Sequence, residues 1–201
     1  MKIKYPLAQE TINKTDINEL IDWLKTYPRL TQGELTREFE EKWAKFVGTK
    51  YSVFCNSGSS ANLLMVEALR SAHPSKFENN NKVIVPATGW ITTVSPIIQA
   101  GLEPIMIDSD PDTLGIDLDQ LEEACKKEAP ALVIFVQVLG VPHHRDRLLQ
   151  LKDKYGFLLL EDACAALGSE YRDGLDSPKR VGTVGDASSF SFYFGHQLST
   201  I

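Results

Sequence analysis

Ser188-Ser189-Phe190-Ser191-Phe192-Tyr193-Phe194-Gly195-His196-Gln197-Leu198-Ser199-Thr200-Ile201 begins as a strand, expected over about residues 187–192, and runs on to a histidine five positions beyond Ser191. Upstream of it, from Tyr51, short apolar runs alternate with amphipathic stretches, which is the signature of an α/β domain with a mainly parallel sheet flanked by helices. The pattern predicts earlier strands near 51–55, 83–85, 104–107, 131–137 and 157–161, and helices near 59–71, 91–100, 117–128 and 144–155. Asp117, with Gln120 three residues on, makes a capping pair for the third of these helices, and Gly156 ends the fourth. Between Gly168 and Gly185 the chain is rich in Gly, Asp, Ser and Pro and reads as an active-site loop or a small hairpin.

The first fifty residues follow another pattern. An extended arm over 1–10 precedes a helix capped by Thr15 or Asp16, with Ile17, Leu20, Ile21 and Leu24 on its apolar face and an end marked by Pro28. A loop at 30–33 leads to a second helix from about Glu34, with Leu35, Phe39, Trp43, Phe46 and Val47 on one side and Gly48 at its C-terminal cap. The expected division is an N-terminal arm with helices over 1–50 and a larger α/β unit over 51–201.

Composition narrows the function classes. A chain of 201 residues with 43% hydrophobic content can bury a sizeable core. Its net charge of −6, with no cluster of Lys and Arg, argues against a nucleic-acid partner or an anionic membrane surface, and a small-molecule ligand fits better. No apolar run reaches membrane-spanning length and the opening MKIKYPLAQE lacks the apolar core of a signal peptide, so a cytoplasmic location is expected. Cys55, Cys125 and Cys164 are odd in number and widely spaced, which indicates neither a disulfide framework nor a zinc site. His73 and the His143-His144 pair have no ligand partners at metal-binding spacing, so no metal is expected.

Four stretches can carry chemistry. Asn56-Ser57-Gly58-Ser59-Ser60-Ala61-Asn62 follows one expected strand and opens a helix; it is either a plain turn with a serine cap or an anion site for a phosphate monoester, built from free backbone N–H groups and hydroxyls. Val83-Ile84-Val85-Pro86-Ala87-Thr88-Gly89-Trp90 is a buried strand that delivers an aromatic side chain just beyond its carboxyl end, where open α/β sheets bind ligands; Trp90 is either core or a stacking platform. Phe157-Leu158-Leu159-Leu160-Glu161-Asp162 ends an apolar run with two carboxylates on opposite faces, one of which either caps the next segment or faces a cationic partner. The fourth is the stretch quoted first, where His196 is either an ordinary surface or core histidine or a proton-transfer group.

In this order and spacing, the four stretches resemble the large domain of the DegT/DnrJ/EryC1/StrS sugar aminotransferase family, fold-type I (aspartate aminotransferase-like) enzymes that use pyridoxal phosphate. The resemblance covers residues from about 5 to 201. It implies that Ser57, Gly58, Ser59 and Ser191 hold the cofactor phosphate with Ser189 assisting, that Trp90 lies against the pyridine ring, and that Asp162 faces the pyridine nitrogen. Glu161, on the other side of its strand, is expected to be structural. His196 occupies the position of the family's Schiff-base lysine, and Ala165 stands where many members carry a polar side chain.

Tyr193-Phe194-Gly195-His196 is similar to the branch that removes the 3-hydroxyl of GDP-4-keto-6-deoxy-D-mannose. That resemblance implies a start from pyridoxamine phosphate, His196 as both base and acid, glutamate as amino donor, a homodimer, and a place in deoxysugar and surface polysaccharide synthesis. An aminotransferase of the same family would need a lysine in register with Ser191. A CDP-hexose 3-dehydratase carries histidine but pairs it with an iron–sulfur cluster. Because family members continue into a smaller C-terminal domain, a truncated and inactive fragment is the remaining expectation.

Overall fold

The computed structural model describes residues 5, 8–9, 11–172 and 178–198. The expected arm over 1–10 and the end of the quoted stretch therefore lie largely outside the described residues. Five parallel strands form the sheet: β1 (Lys82–Pro86), β2 (Glu103–Ile107), β3 (Leu132–Val136), β4 (Leu158–Asp162) and, after a short hairpin, β7 (Ala187–Ser189), in the order β2-β1-β3-β4-β7. The hairpin is β5 (Glu170–Tyr171) against β6 (Lys179–Arg180), antiparallel, which settles the alternative left open for the segment between Gly168 and Gly185.

Strand side chains alternate between two cores. Val83, Val85, Leu132, Ile134, Leu158 and Leu160 pack with Met65, Val66 and Leu69 of α3 (Gly58–Ala72) and Ile97 of α5 (Ile91–Gln99). Ile84, Val133, Phe135 and Leu159 face the opposite way, onto Leu121 and Cys125 of α6 (Leu118–Glu128) and Leu148 and Leu151 of α7 (Arg145–Tyr155). The period of two thus buries both faces, as a parallel sheet requires, and it decides the two acids at the end of β4. Asp162 is in phase with Leu160 and faces α3 and α5, whereas Glu161 is in phase with Leu159 and faces the other layer.

The N-terminal helices are α1 (Lys14–Leu24) and α2 (Glu34–Val47); a short α4 (Pro74–Glu78), unforeseen in the sequence, follows α3. α1 is capped by Asn13 in a reciprocal capping box with Asp16, one turn earlier than a cap at Asp16 itself would place it. Its expected apolar face is not buried: Ile17, Ile21 and Leu24 remain 41–43% exposed. α2 ends at Gly48, whose φ of +97° is the left-handed cap conformation expected of glycine there.

One expected strand is absent. Residues 51–55 do not join the sheet: the Phe54 N–H donates to Glu40 Oε1 at 2.8 Å and the Ser52 hydroxyl donates to the Glu40 carbonyl, so the segment is tied to α2. Tyr51 and Val53 are 75% and 80% exposed, so the apolar run that suggested a strand is uncovered in this chain. β7 is also shorter than expected, pairing with β4 only over Leu160↔Ala187, Glu161↔Ser188 and Asp162↔Ser189.

Candidate active site

Ligands of parallel sheets bind beyond the carboxyl ends of the strands, and here those ends bring the distant stretches together. Asp162 is the last residue of β4 and is buried. Its Oδ2 accepts from Asn62 Nδ2 at 2.8 Å and from the Thr93 hydroxyl at 3.0 Å; its Oδ1 accepts from the Cys164 N–H at 3.2 Å and the Ser189 hydroxyl at 3.4 Å. Among the described residues no Lys, Arg or His side chain forms an ion pair with it. A buried carboxylate that is oriented but not neutralised is suited to a cationic ligand atom.

The second stretch of interest lies at the start of α3. Ser57 is the N-cap, its hydroxyl accepting from the Ser60 N–H at 3.1 Å, and the first-turn N–H groups of Gly58 and Ser59 have no partner within the helix. Gly58 is required by close approach: a Cβ there would stand 2.8 Å from Cys164 Sγ and 2.9 Å from Ser191 Cβ. The turn before α3, the segment after β7 and the segment after β4 therefore meet at one point, and Ser191 is buried against Gly58.

Ser189, the last residue of β7, reaches Asp162. It is buried and its hydroxyl is 2.6 Å from Asn62 Oδ1 and 3.4 Å from Asp162, so it supports the acid. Ser59 is exposed at the helix start. Trp90 forms the backbone N-cap of α5 and is 69% exposed at the end of β1, three residues before Thr93. His196 is partly buried; its N–H donates to the Tyr193 carbonyl at 2.8 Å and its ring meets that of Tyr193 edge-on at 5.7 Å. Gln197 then ties this turn to the segment after Asp162 by donating from Nε2 to the Ala165 carbonyl at 2.8 Å. Burial, and then the negative charge of Asp162, push the Cys164 thiol well above its usual range, so it is a packing group and not a nucleophile.

Thr93 and Ser189 were not foreseen as partners of Asp162. Nothing in a local pattern marks them, because Asn62, Thr93 and Ser189 lie 100, 69 and 27 residues from it in the chain. A hollow of about 930 Å³ is lined by residues 47–58, with Phe39, Trp43, Phe54, Phe190 and Phe192 in its wall. Ser57, Gly58, Ser189 and Ser191 also line it, whereas Asp162, Trp90 and His196 do not.

The model of the DegT/DnrJ/EryC1/StrS aminotransferase family matches residues 10–201. The chain belongs to that family. It is 36% identical over 199 residues to the GDP-4-keto-6-deoxy-D-mannose 3-dehydratase of Yersinia pseudotuberculosis, covering 99% of this chain and 49% of that protein. The solved structure of the E. coli GDP-4-keto-6-deoxy-D-mannose-3-dehydratase with bound hydrated pyridoxal phosphate superposes with a TM-score of 0.89 at 33% identity, over all of this chain and 50% of that one. A variant of GDP-4-keto-6-deoxymannose-3-dehydratase with bound GDP-perosamine matches with a TM-score of 0.87 at 32% identity, over 98% of this chain and 49% of that one. This family member thus has the α/β fold of fold-type I enzymes and spans about half the length of the relatives it matches.

The site also fits the family's cofactor on its own terms. First-turn N–H groups beside the Ser57 hydroxyl at the start of α3 suit a phosphate, and a buried acid with no cation paired to it among the described residues suits a protonated pyridine nitrogen.

Proposed function

We propose that this chain binds pyridoxal or pyridoxamine 5′-phosphate and forms the catalytic half of a nucleotide-sugar 3-dehydratase acting on a GDP-linked 4-keto-6-deoxyhexose. The observation that carries the reading is the pairing of an intact acid site at Asp162 with histidine, not lysine, at position 196. Residues 51–201 are the cofactor-binding unit and 1–50 the arm and helices beside it. When bound, pyridoxamine phosphate supplies an amine for the sugar's keto group and an electron sink for loss of the 3-hydroxyl.

The chain's own groups divide the work. Ser57, Gly58, Ser59 and Ser191 hold the phosphate, Trp90 covers the ring, and Asp162, oriented by Asn62, Thr93 and Ser189, holds the proton at the pyridine nitrogen. His196 takes a proton from the aminomethyl carbon and, as imidazolium, gives one to the departing hydroxyl, which an imidazole does readily near neutral pH. Imidazole cannot retain the cofactor covalently, which sets this chain apart from the lysine-bearing aminotransferases. Glutamate is the amino donor, the assembly is a homodimer, and the compartment is the cytoplasm. Among the described residues no helix is long and apolar enough to cross a membrane.

His196→Lys tests the assignment. Dehydration of GDP-4-keto-6-deoxy-D-mannose with glutamate should fall by about a hundredfold or more, as for loss of a general acid–base. Borohydride should then fix pyridoxal phosphate to the protein, seen as a mass increase that the unsubstituted chain does not give. Undiminished dehydration by this variant removes His196 from the chemistry.

A further inference from the structure

Beside Asp162 on β4 stands a second carboxylate that the proposed chemistry does not use. Glu161 is fully buried on the opposite face of the sheet and no cation pairs with it among the described residues; four donors converge on it. Its Oε1 accepts from Gln137 Nε2 at 2.9 Å, from the Tyr171 hydroxyl at 2.6 Å and from the Gly182 N–H at 2.8 Å, and its Oε2 accepts from the Val184 N–H at 3.1 Å. The donors come from three places: the end of β3, the hairpin strand β5, and the turn that precedes β7.

We propose that Glu161 is a positioning residue that fixes the turn at 182–184 and thereby sets where β7 delivers Ser189 to Asp162 and Ser191 to Gly58. Three observations carry the step from turn to site. The turn is stiff, because Gly182 has a φ of +97°, lies where a Cβ would meet the Phe190 ring at 2.4 Å, and accepts at its carbonyl from the Ser188 hydroxyl at 2.8 Å. β7 follows at once and pairs with β4 over only three residues, too few to hold register alone. Finally, the delivered groups have no slack: the Ser189 hydroxyl is 2.6 Å from Asn62 Oδ1, and Ser191 touches Gly58 closely enough to exclude a methyl group. Without the carboxylate, two buried backbone N–H groups lose their acceptor and the turn must shift to satisfy them. The consequence for phosphate binding rests on the cofactor reading above; the mechanical consequence for β7 does not.

Glu161→Gln separates positioning from general stability, since its amide sets a donor against one of the N–H groups while keeping the volume. In hydrogen–deuterium exchange at a temperature where the variant is folded, amides of 187–191 should exchange about tenfold or more faster than in the unsubstituted chain, with those of β1 and β3 unchanged. Pyridoxal phosphate affinity should fall by about tenfold while affinity for pyridoxal, which lacks the phosphate, stays within about twofold. Tyr171→Phe removes one donor without adding volume and should move both readouts the same way by a smaller factor; it carries the test if Glu161→Gln does not fold. Unchanged exchange at 187–191, or faster exchange spread evenly over all strands, overturns the proposal, as does equal weakening of pyridoxal and its phosphate. Failure of the unsubstituted chain to bind pyridoxal phosphate would instead sink the cofactor reading and leave the exchange pattern to decide the role of Glu161.

Discussion

At the scale of single residues, two neighbours on one strand show how alternation assigns tasks. Asp162 and Glu161 are adjacent, buried, and each surrounded by donors, yet one faces α3 and α5 and the other the turn at 182–184. Gly58 packs against Cys164, two residues after Asp162, and against Ser191. Gly58→Ala would place a methyl group against Cys164 and Ser191, so overpacking should destabilise the fold by about 1–3 kcal/mol. Because the displaced neighbour is Ser191, pyridoxal phosphate binding should weaken further than the melting temperature alone explains. A variant with normal affinity measured by absorbance titration would show that the phosphate site lies elsewhere.

At the scale of elements, the connections after the strands are held by buried polar side chains rather than by regular structure. The loop that joins β3 to α7 is anchored by His143, whose Nε2 lies 2.6 Å from the Ile116 carbonyl and whose Nδ1 accepts the His144 N–H at 2.7 Å. With a carbonyl at one nitrogen and an N–H at the other, the ring is the neutral Nε2–H tautomer. Burial lowers its pKa below the ordinary 6.5; the neighbouring His144 lowers it further, and the Ile116 carbonyl and Asp110 oppose the shift. The unfolded chain then binds more protons than the folded one below pH 6.5, so the His143 contribution is complete above that value and lost as pH falls through it. Denaturation midpoints should drop between pH 7.5 and 5.5, and His143→Gln should be less stable throughout but flatter over this range. Glu128, held low first by its hydrogen bond from Lys82, acts only below its ordinary 4.5 and does not confuse the window. Equal slopes in the two proteins would assign the acid sensitivity to another group.

At the scale of the whole molecule, a well-packed parallel sheet coexists with uncovered apolar surface. Ile17, Ile21 and Leu24 on α1, and Tyr51 and Val53 ahead of α3, are exposed although their pattern is that of buried elements. If the chain assembles as the proposed homodimer, sedimentation equilibrium in the micromolar range should show self-association. Ile17→Glu with Ile21→Glu should reduce it while changing stability by only about 0.5 kcal/mol per site, because neither residue is buried within the chain. A monomer at all concentrations would count against the homodimer.

The sequence by itself determined what depends on local order. The period-two strands, the helices between them with caps at Asp117 and Gly156, the hairpin-or-loop after Gly168, and the register of His196 with Ser191 are all functions of neighbours along the chain. Where a local pattern needs a distant partner, it misled: residues 51–55 have strand composition, but their hydrogen bonds go to Glu40. Only the tertiary structure decided that Asn62, Thr93 and Ser189 orient Asp162, that the Ser189 hydroxyl also reaches Asn62, and that Gly58 meets Ser191 without room for a methyl group. These are contacts between strand ends and helix starts far apart in sequence, fixed by sheet order and packing, and no periodicity encodes them.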